Sequence, residues 1–343
     1  MRRVSPALQL SMWQFRASPP LCQIRKMHAG NLDTAIATAH GTMNAKKHRP
    51  LPTPPFEGLK LGRMLSHGEG VKAYQGVYRG RPVLVRLFKD ATWLRSMCGV
   101  PLEAAISASH PHPNLARCSA MRRRGGSSGG DGVWTVTETF ERSLQEAIIA
   151  KRFVQTDGLE AHVRKRNLRD ALHIAGDVAE VMVFLHSMDI VHGRLTPGHV
   201  MLAEDARQAC GCRAVLTGYG LAHAKPLDVA ESPNIVRGAE IAHWSPERLI
   251  DAVNSKAGDV FAFGMMLVSM LTGDAPWAGR SGPQIVLAAG ILRLRPPPPP
   301  RVLPPLASLI NLCLRAQPAE RPTFEMAAAI LRGLLAQGCA VPP

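Results

Sequence analysis

The chain has 343 residues, enough for two domains or for one two-lobed unit with a tail. Apolar residues make up 46% and charged residues 20%, the balance of a folded protein, which excludes wholesale disorder. The 41 Lys and Arg against 26 Asp and Glu leave a net charge of +15, which permits anionic partners and is silent on fold.

Residues 1–56 differ from the rest. Eight basic residues stand there against the single acid Asp33, so seven of the fifteen net charges lie in this stretch. No hydrophobic period persists and a Pro-rich LPTPPF closes it, the pattern of a basic disordered arm or a targeting peptide. The expected location is cytoplasmic, with an organelle as the alternative if the arm is a transit segment. The seven cysteines are scattered without a disulfide framework, which fits a reducing compartment. Cys210-Gly-Cys212 lacks a second ligand pair nearby and reads as two loop thiols rather than a metal site. The longest apolar run, Val260–Leu271, is too short to cross a bilayer, which takes ~20 residues. No transmembrane segment is expected.

From residue 57 the predicted elements run in order. Leu61–Leu65, Ala73–Tyr78 and Pro82–Phe88 alternate apolar and β-forming residues between glycine turns, and read as strands. A short helix is predicted near Pro101–Ala108, then strands at Leu115–Arg122 and Trp134–Thr139. Arg122–Gly132 is a Gly/Ser-rich loop. A basic cluster, His162–Arg169, reads as a solvated helix face rather than a nucleic-acid surface, because no aromatic residues interleave it. Leu168–His186 has apolar residues at helical spacing. Short strands recur at His199–Leu202 and Ala214–Thr217, and helices at Val260–Leu271, Leu306–Arg315 and Phe324–Leu335. The expected fold is α+β and bilobal: a small β-rich N-lobe at about 57–140 and a larger helical C-lobe at about 141–337, within a domain of 57–343. Pro296–Arg301 fits a polyproline ligand pattern for a Pro-binding domain, with a rigid connector as the plainer reading.

Several segments then fall in a telling order. They are Asp189-Ile-Val-His-Gly-Arg-Leu-Thr-Pro-Gly-His-Val-Met-Leu202, Leu216-Thr-Gly-Tyr-Gly-Leu-Ala222, Trp244-Ser-Pro-Glu247, Asp259-Val-Phe-Ala-Phe-Gly264 and Pro318-Ala-Glu-Arg-Pro-Thr-Phe324. Over about Leu59 to Leu335 the chain resembles the eukaryotic protein kinase domain, nearest the tyrosine-kinase-like serine/threonine branch. The resemblance implies structural roles for Glu103 in the regulatory helix, His192 in the catalytic loop, Tyr219 in the Asp-Phe-Gly segment, Asp259 as the anchor of the catalytic loop, and Glu247 with Arg321 as an ion pair. It implies a nucleotide cleft at Ser66, Gly68, Val71, Arg86, Thr137 and Glu138.

The same resemblance shows which groups have been replaced. Arg194 stands where the catalytic Asp belongs, and a guanidinium has no lone pair to act as general base. Gly218 and His199 stand at the two metal-ligand positions, and neither supplies the oxygen that Mg²⁺ prefers. Arg86 replaces the strand lysine. Only Gly68 of the three phosphate-loop glycines remains, with Ser66 and Val71 at the others. Lys72 and Lys89 both have the wrong parity to take over from Arg86. Loss of the base alone costs ~10²–10⁴-fold in rate. The expectation is therefore a pseudokinase serving as a scaffold or allosteric regulator of protein partners such as an active kinase. No metal and no intact catalytic residue is expected, and ATP, if bound, is held weakly or without Mg²⁺, near Arg194 and His199. The alternative is an atypical active serine/threonine kinase. A basic nucleic-acid- or membrane-binding protein is the weakest reading, since nearly half the charge sits in the tail.

Overall fold

The structure is a computed structural model that describes residues 56–68, 71–88, 102–124, 132–155, 159–219, 238–297, 299 and 302–337. The basic arm therefore lies outside the described residues except for Phe56, as do Lys89 and part of Pro296–Arg301. The chain divides into two compact units, one formed by residues up to Pro111 with Arg117–Thr139, the other by His112–Ala116 and most of the chain from Phe140 onward.

In the first unit, strands β1 (Leu59–Gly68), β2 (Val71–Tyr78) and β3 (Arg81–Phe88) precede helix α1 (Leu102–Ser109), then β4 (Cys118–Arg124) and β5 (Gly132–Glu138). The sheet order is β1-β2-β3-β5-β4, with every neighbouring pair antiparallel. Alternation along β3 sorts its side chains between two faces. Val83, Val85 and Leu87 join Tyr74, Trp134 and Val136 in one apolar cluster. Arg86 points to the other face, paired in register with Ala73 and Thr135. Lys72 pairs with Leu87 and so belongs to the face away from Arg86.

The second unit begins with β6 (Arg142–Ser143) and α2 (Leu144–Ile149), the latter opened by a Ser143/Glu146 capping box. Helix α3 (Ala161–Ser187) starts seven residues before the predicted Leu168 and takes in the basic cluster. Its charged first half has no apolar stripe to announce it. A 3₁₀ turn (Pro197–His199) leads into β7 (Val200–Glu204), which pairs with β6 and β8 (Cys212–Leu216). His199, expected to open a strand, sits in this turn because Pro197 at its first position fixes the backbone.

Helices α4 (Gly238–Ile241), α5 (Pro246–Asp251) and α6 (Lys256–Thr272) come after β8. Next come α7 (Gly282–Ile285), a π-helical segment (Val286–Ile291), α8 (Pro304–Cys313) and α9 (Phe324–Ala336). Residues 260–271 of α6 are all buried, so this helix is the axis of the unit. Phe263 and His186 both meet Phe324 edge-on. Gly264 lets α8 approach: a Cβ there would stand 2.7 Å from the Cβ of Cys313. The strand predicted from Leu115 begins at Cys118 instead, and Leu115 forms a single bridge to Leu216 within the second unit. Among the described residues no helix is long and apolar enough to cross a membrane.

Candidate functional site

The loop 189–199 is held from below by one carboxylate. Asp259 sits in the first turn of α6, 2% exposed. Its Oδ2 accepts from the His192 backbone N–H at 2.8 Å and its Oδ1 from that of Gly193 at 2.7 Å. His186 Nε2 lies 2.9 Å from the same Oδ2. The His192 ring is fully buried, with Nε2 3.1 Å from the Thr217 carbonyl. Burial disfavours its charged form and pushes its pKa down to about 4.

At the top of that loop Arg194 faces Glu240 of α4. One nitrogen, Nη2, donates to both carboxylate oxygens, at 2.8 and 2.9 Å. The two side chains are 15% and 14% exposed. The Arg194 charge is thus met by a carboxylate of the same unit and not left open for phosphate. Arg248, whose guanidinium lies over the Trp244 ring, is lowered to about 10, first by burial and then by the nearby Arg194. Glu240 escaped the sequence reading. The available signal was an acid seven residues before Glu247, opposite in sign to Arg194.

His199 and Gly218 meet directly. The His199 ring is 1% exposed, with Nδ1 bonded to Thr196 Oγ1 at 2.9 Å. Its carbonyl receives both the N–H and the hydroxyl of Thr217, at 2.8 and 3.1 Å. Gly218 has φ +79, and a Cβ there would stand 2.9 Å from His199 Nε2 and closer still to Cδ2. The imidazole fills the space that any side chain at 218 would need. Mg²⁺ takes oxygen ligands in near-octahedral geometry. An imidazole packed onto a glycine offers none, so these residues do not fit the ion. Tyr219 is fully buried beside them in sequence. Among the described residues no group of three or more His, Cys, Asp and Glu is placed to hold a metal.

Farther along, Glu247 and Arg321 form a fork-to-fork pair at 2.7 and 2.8 Å. Burial raises the Glu247 carboxyl, but the Arg321 guanidinium and a backbone hydrogen bond together bring the net shift downward. In the first unit, Arg86 Nη1 donates to Glu103 Oε2 at 2.9 Å. This contact uses one guanidinium nitrogen, and Arg86 Nε is buried without a partner. Thr137 Oγ1 bonds the Leu84 carbonyl at 3.3 Å. Glu138 accepts the Arg117 N–H on its carboxylate at 2.7 Å and donates its own N–H to the Arg117 carbonyl at 3.1 Å. Ser66, Gly68 and Val71 lie on β1 and β2, with side chains outside the described ones.

A family model described as protein tyrosine and serine/threonine kinase matches residues 59–331. A Dictyostelium discoideum protein named as a probable serine/threonine-protein kinase is 25% identical over 272 residues, covering 78% of this chain and 15% of its own. The Arabidopsis thaliana serine/threonine/tyrosine-protein kinase HT1 is 22% identical over 293 residues, covering 84% of this chain and 69% of its own. The Mycobacterium bovis serine/threonine-protein kinase PknJ is 27% identical over 223 residues, covering 64% and 34%. Against the first two relatives matched, both from Dictyostelium, the chain spans less than a third of their length. The match across residues 59–331, with an antiparallel-sheet unit ahead of a helical one, shows that this chain belongs to the protein tyrosine and serine/threonine kinase family.

Proposed function

We propose that this kinase domain is a pseudokinase: it has given up phosphoryl transfer and serves as a scaffold or allosteric regulator of a protein partner, an active kinase in the simplest case. The observation that carries this reading is the His199–Gly218 contact, which replaces two metal-ligand positions with a ring and the glycine that accommodates it. The Arg194–Glu240 pair adds to it, since a cation in a closed ion pair occupies the general-base position. Phosphoryl transfer depends on metal and positioned charge for nearly all of its acceleration. ATP, which the family binds, is held here weakly and without Mg²⁺. The anchors that remain, Asp259 beneath the loop and Glu247 with Arg321, support the fold rather than the chemistry.

The test pairs two measurements on the full chain. One is transfer of labelled γ-phosphate from ATP to itself or to a protein substrate with Mg²⁺. The other is thermal stability with ATP, with Mg²⁺ and then with EDTA. A nucleotide at 100 times its dissociation constant stabilises by ~2.7 kcal/mol. The expected result is no transfer and no stabilisation that requires Mg²⁺. Transfer together with a Mg²⁺-dependent shift would overturn the reading and restore the alternative, an atypical active serine/threonine kinase.

A further inference from the structure

The turn between β7 and β8 carries two thiols that no kinase motif uses. Cys210 and Cys212 flank Gly211, whose φ of +72 lies in the left-handed region that glycine enters freely. The backbone here is pinned at three points. The Gly211 N–H donates to the Gln208 carbonyl at 2.9 Å, and the Asp205 N–H donates to the Gly211 carbonyl at 3.0 Å. Arg152 Nη2 donates to the Cys210 carbonyl at 2.9 Å. So held, the two side chains meet. Cys210 Sγ donates to the Cys212 carbonyl at 2.9 Å and lies within hydrogen-bond reach of the Cys212 sulfur. Both residues are just below the surface, 9% and 7% exposed, next to the exposed Ala209 and Gly211. Cys210 also forms part of the wall of a cavity of about 550 Å³, through which a small solute reaches the pair.

The two thiols are electrostatically unlike. The Cys210 thiol and the Arg152 guanidinium both hydrogen-bond the Cys212 sulfur and pull its pKa down, against burial. The same sulfur contact pushes the Cys210 pKa up, so Cys210 keeps its proton. A thiolate beside a protonated thiol supplies both an attacking and a resolving sulfur. Cys118 and Cys313 lack this arrangement, and burial pushes them up to about 11 and about 12.

We propose that Cys210 and Cys212 are a reversible modification site for hydrogen peroxide, which closes a disulfide across Gly211. The Cys212 sulfur attacks one peroxide oxygen. The S–O bond forms, the O–O bond breaks, and the departing hydroxide takes a proton from solvent. The Cys210 sulfur then attacks the Cys212 sulfur. The S–S bond forms, the S–O bond breaks, and the hydroxyl leaves with the Cys210 proton as water. The two sulfurs together give up two electrons, and peroxide is reduced to water. A transient disulfide of this kind is compatible with a reducing compartment. The site is independent of the pseudokinase reading, because it needs neither nucleotide nor metal.

The test treats the reduced full chain with stoichiometric hydrogen peroxide at neutral pH, then alkylates, digests with trypsin and weighs the peptides. Cleavage after Arg207 and Arg213 releases Gln208–Arg213, which holds both cysteines and no other. This peptide should appear unalkylated and lighter by two hydrogens, and dithiothreitol should restore it. It should react roughly tenfold faster, or more, than Cys118 and Cys313. Cys210→Ser removes the resolving sulfur, so dimedone should then label Cys212 as its sulfenic acid. Cys212→Ser should leave Cys210 unlabelled. Full alkylation of both cysteines after peroxide, or reaction no faster than at Cys118 and Cys313, overturns the site. A disulfide from either cysteine to a different peptide overturns the pairing.

Discussion

Gly218 and His199 are shaped to each other: the imidazole lies where a Cβ on residue 218 would come within 2.9 Å of Nε2, inside ordinary contact distance. The two positions are therefore energetically coupled. Gly218→Asp alone combines overpacking with a side chain at φ +79, and should destabilise by roughly 2–4 kcal/mol. Adding His199→Asn withdraws the ring and should return a good part of that loss. Denaturant melts of the wild type, both single variants and the double variant measure the coupling. Strict additivity of the two single effects would mean the contact carries no energy.

The Arg194–Glu240 pair makes a different prediction. Both side chains are about 85% buried. Removing one partner from such a pair strands the other charge, at roughly 2–4 kcal/mol after allowing for the remaining exposure. Arg194→Ala and Glu240→Ala should each lower the melting temperature, and the double variant should cost less than the two summed. Arg194→Asp, the change that would restore a general base by sequence logic, sets a carboxylate against Glu240. It should be less stable than Arg194→Asn and gain no phosphotransfer. Activity appearing in Arg194→Asp would undo this account.

Arg86 and Glu103 behave otherwise, because only one guanidinium nitrogen is used. A lysine can supply one donor from the same strand position. Arg86→Lys should therefore be nearly neutral, within about 1 kcal/mol, and it removes the buried, unpartnered Nε. Arg86→Ala leaves Glu103 without this cation and should cost roughly 1–3 kcal/mol. Equal losses in the two variants would show that the planar fork itself is needed.

Range along the chain decides which features the sequence disclosed and which it hid. Strands β1 to β3 were readable because alternation and glycine turns are local signals, and the opposite facing of Lys72 came from parity alone. The anchor Asp259 was readable because the motif around it is contiguous, although its bonds reach back 66 and 67 residues. The first turns of α3 were not, since a solvated helix face of Arg and Lys carries no apolar period. Replacement of the metal ligands could be read from two letters, Gly218 and His199. That the ring occupies the space beside the glycine could not, because spacing gives no volumes. Glu240 was hidden for the same reason: its partner lies 46 residues away, and only the fold aligns them.

His192 should contribute to the loss of stability of the domain in acid. Burial holds its ring neutral, with a folded pKa of about 4 against an ordinary 6.5. The unfolded chain therefore takes up this proton first as pH falls. Below about 6.5 the unfolded state gains, and stability is lost progressively until the folded pKa near 4, below which this group contributes no further loss. Two and a half pKa units correspond to roughly 3 kcal/mol at most. The ring bonds a backbone carbonyl through Nε2, which fixes the tautomer that donates there. Glutamine in its place keeps a donor without the titration. His192→Gln should therefore be less stable at pH 7 but show a shallower decline between pH 6.5 and 4 in urea melts. Parallel pH profiles for the two proteins would assign the acid sensitivity to other groups.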